Sequence, residues 1–161
     1  MKIRWPYFIL FFLLFAVFGY FRQKFFLAYN HLMYIKYYKQ PTDAPLDNIA
    51  GMFNNSSYQT MYYLKYPLTV LSVIFFFALN LLAVKYAGRE KKLLKWVTYT
   101  YALLLSLAAV SMLYGYFFHQ RLQDDEYTLS RWLLGIAQSP LIALIILASG
   151  QLFDHEKNHT A

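Results

Sequence analysis

Residues 67–84 run PLTVLSVIFFFALNLLAV, residues 85–95 KYAGREKKLLK, and residues 96–118 WVTYTYALLLSLAAVSMLYGYFF. Two stretches without a charged side chain thus flank a turn carrying Lys85, Arg89, Lys91, Lys92 and Lys95. At about 1.5 Å per helical residue, each stretch is nearly long enough, or more than long enough, to cross a hydrocarbon core of roughly 30 Å. Lipid offers no partner to an unpaired N–H or C=O, so each must be a helix. The centre of the chain is therefore a membrane-embedded helical hairpin with a strongly basic turn.

Two more apolar stretches lie outward from this hairpin. Residues 5–20 follow Lys2 and Arg4 and contain no charge. The stretch is long for a secretory signal, and Phe18 stands where a cleavage site needs a small residue, so an uncleaved anchor is expected. Residues 132–153 make the last stretch, opened by Arg131 and Trp132. Spans are thus expected over about 5–21, 67–86, 96–118 and 132–153. Trp5, Tyr66, Tyr86, Trp96, Tyr116 and Trp132 sit at their edges, the depth that amphipathic rings prefer. The expected fold is an all-α integral membrane protein. It is a four-helix transmembrane bundle, one domain over 1–161, with an extracytoplasmic loop after the first span. Pro67 is expected at the start of the second helix, where its missing N–H is harmless.

The composition agrees. Of 161 residues, 59% are apolar and only 14% charged, too few to wet a soluble domain. Cysteine is absent, which excludes disulfides, thiolate metal sites and a cysteine nucleophile. The net charge of +7 sits beside the apolar runs, where cations anchor helices to headgroups, so lipid and not nucleic acid is the expected polyanion. Five cations in residues 85–95 place that turn in the cytoplasm. The connection 119–131, with the acidic Asp124, Asp125 and Glu126, then lies outside, and both termini are cytoplasmic.

The first loop, 21–66, has two parts. Residues 24–39, KFFLAYNHLMYIKYYK, lack Gly and Pro and suit a separate helix in the headgroup layer. Pro41 and Pro45 then break it, and Asn54, Asn55, Ser56 and Ser57 make a turn that also fits two overlapping glycosylation acceptors. Exposed aromatics favour binding surfaces, so Tyr29, His31, Lys36 and Lys39 are the candidate loop contacts to lipid or protein.

The apolar runs 5–20, 67–84, 96–118 and 132–153 contain no Asp, Glu, Lys, Arg or His, which argues against a pump or an ion-coupled carrier. His155 and His159 have helical metal-ligand spacing but sit in a short polar tail, so no metal and no cofactor is expected. The polar groups left in lipid are Asn80, Ser106, Ser111, Gln138, Ser139 and Ser149, whose usual work is interhelical hydrogen bonding. Gly135, Ser139 and Ala143 repeat at four-residue spacing and predict close helix packing, and Pro140 predicts a kink. Asn80, Gly135, Gln138, Ser139 and Pro140 are the candidate packing or partner contacts. No residue is assigned a catalytic role.

The order of these features resembles the small exosortase-associated membrane proteins of Bacteroidota, of the exosortase F-associated type or a related exosortase system. The similarity rests on Phe25 to Asn30 (FxxxYN), Tyr66–Pro67, Arg131–Trp132–Leu133 and Gln138–Ser139–Pro140–Leu141. The chain departs from that pattern at Asn30–His31, where an acidic residue and Pro are expected, and in the Ser inserted between Gln138 and Pro140. The resemblance implies a non-enzymatic accessory subunit in the bacterial cytoplasmic membrane, partnered by a larger polytopic, sortase-like enzyme. Two other readings stand beside it. One is a small transport or channel subunit whose polar path uses Asn80 and Gln138. The other is a lipid-modifying enzyme using His31, Asp43, Asp47 or His119.

Overall fold

The computed structural model describes residues 4–39, 51–88, 91–118 and 128–159. Among these the chain is helical: α1 Trp5–Tyr38, α2 Tyr58–Gly88, α3 Lys91–Phe118, α4 Thr128–Ala137 and α5 Leu141–His159. Three helices are long and apolar enough to cross a membrane, and a fourth span results if α4 and α5, bent by 63°, are counted together. The most apolar windows of α1, α2 and α3 are only 11%, 33% and 17% buried by protein. Helices apolar on all sides and so little covered need hydrocarbon around them. This is a multi-pass membrane protein.

Several expected boundaries change. Residues 24–39 do not form a separate interfacial helix, because α1 runs through them without a break for 34 residues. Arg22 and Lys24 interrupt the apolar run, but neither they nor the aromatics after them stop a helix. The helix ends where Lys39 turns left-handed, at φ 51°, a common helix exit. Pro67 is not at a helix start but inside α2. The actual cap is Ser57, whose Oγ accepts from Thr60 N at 3.2 Å and lies 2.9 Å from Thr60 Oγ1. One lost backbone hydrogen bond at Pro67 is tolerated within a helix anchored on both sides. The first loop is accordingly much shorter than 21–66. The 54–57 turn is present, with Asn54 N donating to Gly51 O and Ser56 N to Phe53 O. Pro41, Pro45, Asp43, Asp47, His119 and the acidic run 124–126 lie outside the described residues.

The chain divides into two compact units. One comprises residues 16–72. Its centre is Tyr29, Leu32, Met33 and Met61, surrounded by Phe25, Phe53, Tyr58 and Tyr62. The other comprises residues 1–15 and 73–161. Phe11 and Phe15 of α1, Phe76, Leu79 and Val84 of α2, Val97 and Tyr101 of α3, and Ile142 and Leu147 of α5 form its core.

Candidate functional site

The fourth apolar stretch cannot stay helical through Pro140, which has no N–H for the carbonyl of Ile136 and crowds the preceding turn. The bonds that Ile136 O, Ala137 O and Ser139 O would accept in an unbroken helix are lost there, and each of these three carbonyls finds another donor. Ile136 O, deprived of Pro140, accepts from Ser139 Oγ at 2.7 Å and Ser139 N at 3.1 Å. Ala137 O, the usual partner of residue 141, accepts from the hydroxyl of Tyr101 on α3. The N–H of Leu141 turns instead to Ser139 Oγ, at 3.3 Å.

The third replacement uses Asn80 of α2. Its amide stands between the two groups that an unbroken helix would pair. Oδ1 accepts from Ala143 N at 3.0 Å, and Nδ2 donates to Ser139 O at 3.2 Å. Nδ2 also reaches Phe76 O and Tyr101 Oη, both at 2.9 Å, so its two hydrogens serve three acceptors. Asn80 is fully buried and Tyr101 nearly so. Regular bonding resumes with Leu144 N donating to Pro140 O at 3.0 Å. Side chains of α2 and α3, with Ser139 itself, thus converge on one backbone interruption and partner most of its freed groups, as irregular backbone at membrane depth requires.

Gln138 lies in the same break, and its backbone N–H donates to Leu134 O and Gly135 O. Its side chain is 4% exposed, and neither amide atom has a hydrogen-bond partner. The expected face of Gly135, Ser139 and Ala143 is not continuous, because the 63° bend falls across it. Ala143 is buried in the core, whereas a Cβ on Gly135 would meet nothing within 4 Å. Gly135 and Ser139 instead line a shallow, open groove with Arg131, Trp132, Ile136 and Leu141. Ser106 is exposed, and Ser111 and Ser149 are half-buried.

The loop candidates separate sharply. Tyr29 is not a surface contact but the centre of its unit: it is 1% exposed, and its hydroxyl donates to Met61 O at 2.7 Å. Its ring lies edge-on to Phe53 at 5.1 Å. Lys36 is likewise engaged within the chain, its ammonium donating to the carbonyls of Phe53 (3.1 Å), Asn54 (2.7 Å) and Ser56. It holds the turn that leads into Ser57. His31 and Lys39 are exposed. Tyr101 escaped the sequence reading, since a tyrosine in an apolar run resembles any other aromatic there. Its one signal was depth, five residues inward from the edge-marking Trp96.

Among the described residues no three His, Cys, Asp or Glu side chains stand close enough to hold a metal. The arrangement can hold a helix bent at Pro140. No protein-family model, no curated protein and no solved structure matches the chain. The resemblance described above therefore rests on the residues quoted for it.

Proposed function

We propose that this protein is a non-enzymatic accessory subunit of an envelope protein-sorting system of the exosortase kind. In this reading it lies in the bacterial cytoplasmic membrane with both termini in the cytoplasm, beside a larger polytopic enzyme. The observation that carries the reading is how the intramembrane polar groups are used. Asn80, Tyr101 and Ser139 all bond to the interrupted backbone, so they brace a bend and are not directed at a substrate. The braced bend leaves the groove at Gly135 and Ser139 open towards the surroundings, with Trp132 at its edge. Small residues on a rigid helix are what another helix needs for close approach.

A broken span also favours a transport subunit, because broken helices in carriers turn free carbonyls towards ions. Here Ile136 O, Ala137 O and Ser139 O already accept hydrogen bonds from protein groups, which weighs against that use. The test is purification of the tagged chain from its own host in mild detergent. A stoichiometric larger membrane protein should accompany it. A solitary chain that moves ions or turns over a lipid in liposomes would overturn the proposal.

A further inference from the structure

Within the unit of residues 1–15 and 73–161, α1, α2 and α5 line a second, shallow groove that is open along one side. Phe8, Phe11, Ala83, Ala87, Pro140 and Leu147 are among its lining residues, all of them apolar. The alanines of α2 leave space that a larger side chain would fill. From Phe8 to Phe15 the α1 wall rises about 10 Å, a third of a hydrocarbon core.

One wall of this groove connects directly to two cations. Phe11 stacks on Tyr86 at 6.2 Å, and Tyr86 stacks on Tyr7 at 6.0 Å. The guanidinium of Arg4 lies over Tyr7 and the ammonium of Lys85 over Tyr86, each 5.7 Å from the ring centre. Arg4 N also donates to Ala87 O at 3.2 Å, tying the start of α1 to the end of α2. An apolar groove thus adjoins two stacked rings, each with a cation over it.

From this juxtaposition we infer that the groove binds one anionic phospholipid. An acyl chain lies along Phe8, Phe11 and Ala83, and the phosphate sits at Arg4 and Lys85. The charge pattern selects this occupant: among the described side chains no carboxylate stands against either cation, and an anionic lipid supplies the net negative charge that a zwitterionic one lacks. This goes beyond an accessory role, since it needs no partner protein.

Trp5, edge-on to Phe8 at 5.7 Å and exposed, is a built-in reporter. The test uses the full chain carrying W96F and W132F, reconstituted in vesicles containing brominated-chain phosphatidylglycerol or brominated-chain phosphatidylcholine. Trp5 should be quenched by phosphatidylglycerol with roughly ten- to thirtyfold preference, as expected for two cations at an anionic headgroup. R4Q/K85Q should abolish the preference. K91Q/K92Q removes the same charge from two exposed lysines and should leave it intact. Equal quenching by both lipids, or equal loss in both double variants, would mean general attraction to a cationic protein and would overturn the site. If R4Q/K85Q does not fold, native mass spectrometry of the unaltered chain decides. One retained phosphatidylglycerol per chain supports the site, and no retention in excess of phosphatidylcholine refutes it.

Discussion

Asn80 is an amide inserted into another helix's hydrogen-bond ladder, and its removal has consequences beyond the bonds it makes. Asn80→Leu strands Ser139 O and Ala143 N in a region without water. Interhelical bonds in membranes contribute roughly 0.6–1.7 kcal/mol each, so with two stranded groups the loss should be about 2 kcal/mol or more. Tyr101→Phe, which strands only Ala137 O, should lose about 1 kcal/mol. Gln138→Met should act in the opposite direction. Its amide is buried without a partner, so replacing it by an apolar chain of similar size should raise stability by about 1 kcal/mol. Unfolding in a detergent–dodecyl sulfate titration measures all three. Destabilisation by Gln138→Met would show that its amide is bonded in the working protein. Asn80 and Gln138 were legible in the sequence because an amide in an apolar run must find a partner or do without one. Which of the two had found one was not legible, since the carbonyls that decide it lie on a different helix.

For the elements, the open groove beside α4 sets an expectation different from that of a packed small-residue stripe. Gly135→Leu adds a side chain where a Cβ meets nothing within 4 Å, so the isolated chain should keep its stability within about 1 kcal/mol. Recovery of the partner protein should nevertheless fall several-fold, because the added side chain occupies the proposed contact. Melting in detergent and pull-down yield, measured on the same preparations, separate the two effects. Unchanged recovery would place the partner contact elsewhere on the chain. The apolar helices themselves were legible, since lipid permits almost nothing charged within them. Their ends were not. Pro67 imitates a helix start, while the true cap at Ser57 precedes a segment, YQTMYYLKY, polar enough to pass for loop. Lys36 looked available because its sequence neighbours are aromatic, and only the folded turn shows three carbonyls around its ammonium.

At the level of the whole molecule, the bend between α4 and α5 makes topology the informative measurement. The bent pair is either one broken span or a re-entrant excursion, and the two give different locations for the C-terminus. The charge of residues 85–95 favours the cytoplasm for that turn, and four crossings, the number expected from the apolar runs, would return the C-terminus to it. Reporter fusions at Gly88 and at the C-terminus should then register cytoplasm, and fusions near Asn54 and Asp125 the outside. A C-terminus on the same side as Asp125 would identify the pair as re-entrant; a cytoplasmic signal at Asn54 would reverse the orientation.

The stitched interruption in the last apolar stretch also bears on how the protein is made. A ribosome delivers α2 and α3 before residues 136–143, so the Asn80 and Tyr101 side chains are already waiting when the proline-broken segment emerges. Within that segment Ser139 serves Ile136 O and Leu141 N, but Ala137 O, Ser139 O and Ala143 N find their partners only on helices that preceded it. Stable insertion of this last stretch should therefore depend on the middle of the chain being in place first.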